Sequence, residues 1–413
     1  METEIIQKKE IMRVPKLRFG EFSEDWKKIK LGDIGQFKGG GTPDTKIEKY
    51  WNGEIPWISS SDIYDGDIHN INIHKWINKE AVKDTATKII PKESILLISR
   101  VGVGKLAINK HEICTSQDFS NFLPFKDNSY FIGYFLIARK NVLLSFAQGT
   151  SIKGFTTSDI KSLKFYLPSL PEQQKIATFL SAIDKKIQQL IRKKELLETY
   201  KKGVMQQLFS QKLRFKPALN GAEGNENGKD FAEWKVKRLG EICTFFSGGT
   251  PTSTNQKFYS GTIPFIGSGN IYDHEVYNFI TEEALNNSSA KIVEKGDLLY
   301  ALYGANSGEV SISKLSGAIN QAILCIRTEE CIAYIYYILL HNKGKIITKY
   351  LQGGQGNLSA NIIKKLKYSF PSLKEQQKIA DFLSEIDIKI EAVSQQITQT
   401  QSFKKGLLQQ MFV

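Results

Sequence analysis

The sequence predicts a mixed α+β protein in which two similar globular domains are joined by two long antiparallel helices. The helices are expected to form a coiled-coil spacer that relates the two halves by a pseudo-twofold axis. One observation behind this prediction is a duplication, because residues 168–187 and 371–390 are identical at 16 of 20 positions without a gap. The other is the segment before each copy, where short β-branched and aromatic runs are broken by Gly, Pro and Asn, as in strands and turns.

Each half opens with the same succession of short motifs: a KLRF run, a tryptophan, an LGDI or LGEI run, a GGTP loop and an IPWI or IPFI run. The succession predicts a first domain over 1–167 and a second over 213–370. Inserted residues 216–230 of the second half are rich in Gly, Asn and Glu, which predicts a flexible linker. The motifs stand at 16–19, 26, 31–34, 40–43 and 55–58 in the first half, and at 212–215, 234, 239–242, 248–251 and 263–266 in the second.

The duplicated stretch predicts two spacer helices, over 168–212 and over 371–413. Apolar residues recur there at steps of four and three with no proline inside, starting at Ile176 and at Ile379, which is a heptad pattern. From Glu172 to Phe209 such a helix would be roughly 57 Å long at about 1.5 Å per residue. A heptad seam needs a partner, and the other copy can supply it. The alternative is that each helix packs on its own globular half.

Composition favours a polyanionic partner and a reducing compartment. The formal net charge is +13 and the sequence pI is about 9.2, which favours nucleic acid over a membrane surface, although a generally lysine-rich proteome would give the same balance. The four cysteines have no CxxC spacing and no histidine cluster, so free buried thiols are expected instead of a metal site. No apolar run reaches membrane-spanning length, and the charged start does not fit a signal peptide, so a cytoplasmic protein is expected.

The duplicated order of motifs, followed each time by a PSL-x-EQQKIA helix entry, resembles the specificity subunits of type I restriction–modification systems. The resemblance covers nearly the whole chain. It implies two target-recognition domains that bind a bipartite, asymmetric double-stranded DNA site. It also implies that the chain positions two modification (methyltransferase) subunits and restriction/translocase subunits. S-adenosylmethionine, ATP and Mg²⁺ are then expected on those partners, and no cofactor or metal on this chain.

Signatures of catalysis do not stand out in the sequence. Residues 102–106 lack the hydroxyl and the spacing of a phosphate-binding loop, and the adenine-methyltransferase motif with two prolines is absent. Asp-x-Lys triplets such as those at 25–27, 44–46 and 159–161 match half of a nuclease motif, which a highly charged chain produces by chance. A non-catalytic subunit is therefore predicted. The rivals are a coiled-coil protein-interaction scaffold without sequence-specific DNA binding, and a single-chain restriction–modification enzyme.

Candidate DNA contacts are polar residues in loops that differ between the halves, since Arg and Lys suit guanine and Asn and Gln suit adenine. For each residue the alternative is a turn or strand-end hydrogen bond. The GGTP loops either present N–H groups to phosphate or form tight turns. The candidate base contacts are Ser59, Ser60, Ser61, Arg100, Lys105, Gln117 and Thr150 in the first half, and Ser268, Asn270, Tyr303, Asn306, Gln321, Gln355 and Asn357 in the second. The candidate phosphate contacts are Lys38, Lys153 and Lys161. The candidate partner contacts at the helix entries are Gln173, Gln174, Ile176, Gln376, Gln377 and Ile379.

The two spacer helices differ in charge. Residues 171–216 carry eleven Lys and Arg against four Asp and Glu, whereas residues 371–413 carry five of each. The basic helix is expected to face DNA between the half-sites or an acidic partner surface, and a solvated face is the alternative. Because the middles of the two domains diverge, the two half-sites are expected to differ in sequence.

Overall fold

The computed structural model describes residues 14–147, 154–217, 231–351 and 357–412. The chain divides into two compact units, one of residues 1–192 with 394–413 and the other of residues 193–393. This division falls inside the two long helices, so each unit contains part of both. The domain limits given by the sequence stay predictions.

In its described residues, the first unit is built on two four-stranded sheets and one two-stranded ribbon. Its strands are β1 (Lys27–Lys30), β2 (Gly35–Gly39), β3 (Ile55–Ile58), β4 (Lys75–Ile77), β5 (Ile89–Ile90), β6 (Ile95–Ile98), β7 (Leu106–Ile108), β8 (Ile113–Thr115), β9 (Phe119–Pro124) and β10 (Lys164–Leu167). The sheet orders are β2-β9-β6-β7 and β4-β3-β8-β5, and β1 pairs with β10. Neighbouring strands are antiparallel except β3 and β8, which run parallel.

Strand β6 joins the two sides of the core of this unit. Its sequence ILLI is entirely buried, and successive side chains of a strand point to opposite faces. Ile95 and Leu97 pack in the larger cluster, with the helices. Leu96 and Ile98 pack in a second cluster between the sheets. A continuous apolar run is therefore required at β6, where a half-exposed strand would alternate.

Short helices complete the first unit. They are α1 (Lys79–Asp84), α2 (Ser129–Ala138), α3 (Lys140–Ser145) and α4 (Thr157–Lys161), and the chain then enters the long helix α5 (Leu170–Phe209). The side chain of Asn128 accepts a hydrogen bond from the Phe131 N–H and so caps α2. The helical pattern over 130–146 is thus present, but it is divided at Arg139, whose φ of −103° and ψ of 20° leave the helical range.

The second unit repeats this strand arrangement. Its strands are β11 (Lys235–Arg238), β12 (Cys243–Ser247), β13 (Ile263–Ile266), β14 (Phe279–Ile280), β15 (Lys291–Val293), β16 (Leu298–Ala301), β17 (Val310–Ile312), β18 (Gly317–Ile319), β19 (Ile323–Thr328) and β20 (Lys367–Phe370). The sheet orders are β12-β19-β16-β17 and β14-β13-β18-β15, with β11 paired to β20. The parallel pair is β13 with β18. The buried strand β16 again sends alternate side chains into two clusters.

The helices of the second unit are α6 (Leu239–Ile242), α7 (Glu282–Asn286), α8 (Ile332–Leu351) and α9 (Ala360–Lys365), followed by the long helix α10 (Leu373–Met411). Here the helical pattern over 332–350 forms one unbroken helix. The two halves therefore share their sheets but differ in the helix that follows them.

The predicted pairing of the two long helices is confirmed. In the first unit, Asp184 of α5 forms an ion pair with Lys404 of α10 at 2.5 Å. In the second unit, Lys201 of α5 pairs with Asp387 of α10 at 2.6 Å. The partners follow opposite orders along the two helices, as in an antiparallel pair. Lys201 and Lys404 are thus each paired with an aspartate of the other long helix.

Each long helix also packs on the unit that precedes it, so the alternative arrangement is present as well. Ile176 and Leu180, near the start of α5, are buried in the larger cluster of the first unit together with Leu407 from the end of α10. Ile379 and Leu383 take the same place in the second unit. The apolar residues of each long helix contact both the other long helix and the core of a unit. This double use explains why the apolar pattern extends over so many residues.

Candidate nucleic-acid interface

The parallel pair of strands gathers diverged loops at one edge of the first unit. Trp57 and Ile58 of β3 pair with Cys114 and Thr115 of β8, and the Ser116 N–H donates to the Ile58 carbonyl at 2.9 Å. Because parallel strands end at the same edge, the loop that follows β3 meets the loop that follows β8.

Two further strand ends reach the same edge. Ile98 at the end of β6 pairs with Phe119, and the Ser99 N–H donates to the Asp118 carbonyl at 2.8 Å. Strand β2 also ends there, with Gly39 opposite Ser120. We call this assembly the first polar edge. The sequence-predicted residues that it brings together are Lys38, Ser59, Ser60, Ser61, Arg100, Lys105 and Gln117.

Side chains of the first polar edge differ in what they are already bound to. The Ser59 hydroxyl donates to Asp62 at 2.8 Å and lies 2.9 Å from the Ser61 hydroxyl, which is the local bonding of a capped turn. The Gln117 Oε1 accepts from the Thr42 hydroxyl at 2.5 Å, which orients its amide, and the residue is exposed. Arg100 is exposed on the turn between β6 and β7. Arg100 and Gln117 are therefore the side chains of this edge most ready to meet a base.

The GGTP loops are irregular segments that pass close to the ends of β8 and β18, and they are not tight turns. A Cβ at Gly40 would lie 2.1 Å from the Ser116 carbonyl oxygen, and one at Gly248 would lie 1.7 Å from the Ile319 carbonyl oxygen. The Gly41 and Gly249 N–H groups donate to strand carbonyls within their own units. Glycine is needed here for close backbone approach, and these two N–H groups already have acceptors.

The second unit forms an equivalent edge with other side chains. Ile266 of β13 pairs with Ile319 of β18, and the Asn320 N–H donates to the Ile266 carbonyl at 3.2 Å. The end of β16 joins through Leu302, whose carbonyl also accepts from the Leu358 N–H at 2.9 Å. We call this the second polar edge. The sequence-predicted residues that it brings together are Ser268, Asn270, Tyr303, Asn306, Gln321 and Asn357.

The two edges share a hydrogen bond between a threonine and a glutamine, but their other candidate side chains differ. The Thr250 hydroxyl donates to the Gln321 Oε1 at 2.5 Å, which repeats the threonine–glutamine pair of the first edge. Asn270 instead donates to Asp273 at 2.9 Å within its own loop. Burial raises the pKa of the half-buried Tyr303, so its hydroxyl stays protonated and can donate. Beside the shared glutamine, the second edge thus presents asparagine amides and a phenol, whereas the first presents a guanidinium and amines.

Four predicted DNA contacts do not join these edges. Lys161 on α4 lies against Gly32, where an added Cβ would come 3.1 Å from the Lys161 Cβ. Gly32 precedes the start of β2, so Lys161 lies at the opposite end of that strand from the polar edge. Thr150, Lys153 and Gln355 lie outside the residues that the structure describes.

Two of the glutamines predicted to contact a partner are interior residues instead. Gln173 is 1% exposed, and its amide donates to Asp127 and to the Pro168 carbonyl. Gln376 is completely buried and donates to Glu330 at 2.7 Å. The prediction is wrong for these two because each side chain fixes its helix entry to its own unit.

The prediction of partner contact is also wrong for the two isoleucines at the helix entries, because they are interior residues. Ile176 and Ile379 are each 1% exposed and pack in the cores of their units. Gln174 and Gln377 are exposed, so partner contact through them stays a prediction. The shared sequence of the helix entry therefore serves folding at the buried positions.

A pair of buried ion-pair clusters at the helix entries was missed by sequence reasoning. Glu172 is 1% exposed and accepts from Arg18 through both carboxylate oxygens and from the Trp26 indole at 3.2 Å. In the second unit Arg214 donates to the fully buried Glu375. The KLRF arginine, the tryptophan and the glutamate of the helix entry are all repeated in step, so the signal was present in the duplicated motifs.

The described residues contain no group of three or more His, Cys, Asp and Glu side chains placed to hold a metal ion. Burial raises the pKa of Cys114 and Cys325 to about 12 and that of Cys243 to about 11, which keeps these thiols protonated at neutral pH. In the same part of the chain, no helix has both the length and the apolar character needed to cross a bilayer.

Two units with a common scaffold and divergent polar loops define this chain as a duplicated recognition protein. The chain belongs to the family of type I restriction–modification specificity proteins, because the model of the "Type I restriction modification DNA specificity domain" matches residues 23–199 and again 232–400. The predicted resemblance is confirmed. Recognition of DNA is the role that this membership supports, and the scaffold without DNA specificity is not favoured.

Similar proteins carry the same descriptions. The type I restriction enzyme MjaIX specificity subunit of Methanocaldococcus jannaschii is 32% identical over 306 residues, covering 71% of this chain and 70% of that protein. The EcoR124I/EcoR124II specificity subunit of Escherichia coli is 34% identical over 176 residues, 41% of this chain and 43% of its own. The crystal structure of the S subunit from M. genitalium has the same fold, with a TM-score of 0.62 at 18% identity over 97% of this chain and 99% of that one.

Proposed function

We propose that this chain binds a bipartite, asymmetric site in double-stranded DNA, with one half-site bound at each polar edge. The observation that carries the proposal is the convergence of the loops that differ between the halves. In each unit, one parallel strand pair brings them to a single edge. A common scaffold with different side chains suits two recognition events of one kind on two different base sequences.

The chemistry of each edge indicates what it can distinguish. The guanidinium of Arg100 suits the O6 and N7 acceptors of guanine, and the oriented amide of Gln117 suits adenine. In the second unit Asn306 and Gln321 offer amides, and Tyr303 offers a hydroxyl. Each good base contact is worth about 1–3 kcal/mol of discrimination, so two or three per edge define a short half-site.

We infer that the chain is itself non-catalytic and acts within a larger cytoplasmic complex. It would position two modification subunits and the restriction/translocase subunits, with S-adenosylmethionine, ATP and Mg²⁺ bound by those partners. One similar solved chain, with a TM-score of 0.55 over 93% of this chain, comes from work on complex assembly and conformational transition of the type I R-M system. The exposed Gln174 and Gln377 are the candidate partner contacts that this proposal keeps.

The experiment is selection from a random duplex pool, with and without the modification subunit. The expected result is enrichment of a gapped motif whose halves differ in sequence. Enrichment of no motif, while the chain still assembles with its partner subunit, would favour the protein-interaction scaffold and refute sequence recognition. Methyl transfer by this chain alone would refute the non-catalytic role.

A further inference from the structure

The hairpin of residues 302–309, between β16 and β17, carries two of the candidate base contacts of the second polar edge. Tyr303 and Asn306 lie on it. Its base is closed by the Ala301 N–H donating to the Glu309 carbonyl at 2.8 Å and by the Gly308 N–H donating to the Ala301 carbonyl at 2.9 Å. The backbone hydrogen bonds therefore fix where the hairpin begins and ends. The orientation of its tip depends on the side-chain contacts between the hairpin and neighbouring elements.

Glu309 holds this hairpin to two other elements through its side chain. Its Oε2 accepts a hydrogen bond from the Tyr272 hydroxyl at 2.6 Å, and its Oε1 forms an ion pair with Lys343 of α8. Tyr272 belongs to the loop after β13, which also carries Ser268 and Asn270. One carboxylate thus joins the two loops that bear most of the second polar edge and anchors both to a helix.

The ion pair is partly shielded from solvent, which makes it stronger than a typical surface pair. The side chains of Glu309 and Lys343 are each 29% exposed. Burial opposes ionisation of Glu309, but the hydrogen bonds from Lys343 and Tyr272 outweigh it, so the pKa of Glu309 lies below its usual range. The carboxylate is therefore charged at neutral pH, and its bonds are charge-assisted.

The first unit uses the equivalent lysine differently. Lys140 stands where Lys343 stands in the second half, and it pairs with Asp65 of the loop after β3 at 2.6 Å. The hairpin position equivalent to Glu309 is Lys105, whose carbonyl accepts the same closing bond, from the Ile98 N–H at 2.9 Å. Lys105 and Lys140 are both positively charged, so they cannot form the ion pair that Glu309 and Lys343 form. Among the described residues, this ion pair between hairpin and helix therefore exists in the second unit alone.

We propose that Glu309, with Lys343 and Tyr272, is a positioning group for base discrimination at the half-site bound by the second unit. It fixes the hairpin against the neighbouring loop, so that Tyr303 and Asn306 meet the DNA in one geometry. The inference rests on the proposed function and adds a dependence that the first half-site does not share.

The test uses the full chain with its modification subunit and selection from a random duplex pool. Glu309→Gln removes the charge with little change of shape, and Lys343→Met removes the other partner. Each is expected to lower discrimination about tenfold at positions in one half of the motif, the loss of about one good base contact. Exchanging the charges, with Glu309→Lys and Lys343→Glu together, should restore part of that discrimination. Lys345→Met, an exposed lysine on the same helix, is the matched control and should change neither half.

Three results would overturn the inference. One is unchanged discrimination in both single variants. Another is an equal loss in both halves of the motif, which would indicate general destabilisation, and thermal unfolding of each variant checks this independently. The third is failure of the wild-type chain to select a gapped motif, which would refute the proposed function itself and this inference with it.

Discussion

The buried ion pair at the entry of the first long helix should be among the most important single contacts of its unit. Arg18 donates to Glu172 through Nε at 2.7 Å and through Nη2 at 2.8 Å, and the carboxylate is 1% exposed. Replacing Arg18 with Met leaves that carboxylate with the Trp26 indole at 3.2 Å. Breaking one partner of a buried pair costs about 3–5 kcal/mol, so we expect a loss of about 3–4 kcal/mol from the first unit.

The loss should lower the melting temperature of that unit by about 6–16 °C, since 1 kcal/mol corresponds to about 2–4 °C in a domain of this size. Hydrogen exchange read by mass spectrometry separates the two units, because protection should fall over residues 14–147 and stay over 231–351. The double variant Arg18→Met with Glu172→Gln should recover part of the loss, since no uncompensated charge remains buried. Lys27→Met, at an exposed position, is the control and should change stability by less than about 0.5 kcal/mol.

The reasoning would be refuted by a loss below about 1 kcal/mol for Arg18→Met, the range of a surface pair. It would also be refuted if the double variant were as unstable as the sum of the two single variants, because the two side chains would then act independently. In the second unit Arg214 is 25% exposed, so Arg214→Met should cost less there than Arg18→Met costs in the first.

The remaining predictions concern the long helices. Burial opposes ionisation of Asp184, but the hydrogen bond from His69 and the charge of Lys404 outweigh it and lower its pKa. Its contribution is therefore present above the unfolded-state value of about 4 and is lost as the pH falls through the folded-state pKa. Asp184→Asn should destabilise the first unit by about 2–4 kcal/mol at pH 7 and by less at pH 3 in urea titrations, and an equal loss at both would contradict this. Reversing the exposed Lys186 and Lys193 to Glu together should flatten the salt dependence of DNA binding, and an unchanged slope would assign the basic face to another role.

The architecture was predictable because the sequence contains the same succession of motifs twice. The heptad steps and the identity of 168–187 with 371–390 predicted a pair of long helices, and the order of short strands predicted two mixed α+β halves. What periodicity could not reveal was that Ile176 and Ile379 serve the unit cores, because a seam looks the same whichever surface it meets. The break at Arg139 was hidden as well, since the apolar pattern continues across it.

The candidate site was predictable as a set of loops but not as a set of contacts. Divergence between the halves identified the segments around Arg100 and Tyr303, and the strand order brought them to one edge in each unit. Side-chain bonding could not be read from the sequence. Ser59 is used in its own turn, and the link from Glu309 to Lys343 joins residues far apart in the chain. Such side-chain contacts depend on the three-dimensional arrangement of the loops and helices, which cannot be predicted from local sequence patterns.

The central claim is that the two units recognise different half-sites independently, with the paired helices holding them in one molecule. The most direct measurement is sequencing of methylated adenines in a host that carries this chain and its partner subunits. It should be repeated with residues 26–150 exchanged for those of another family member. We predict a gapped, asymmetric motif of which the exchange changes one half and leaves the other intact. Simultaneous change of both halves, or a motif without a gap, would contradict the account.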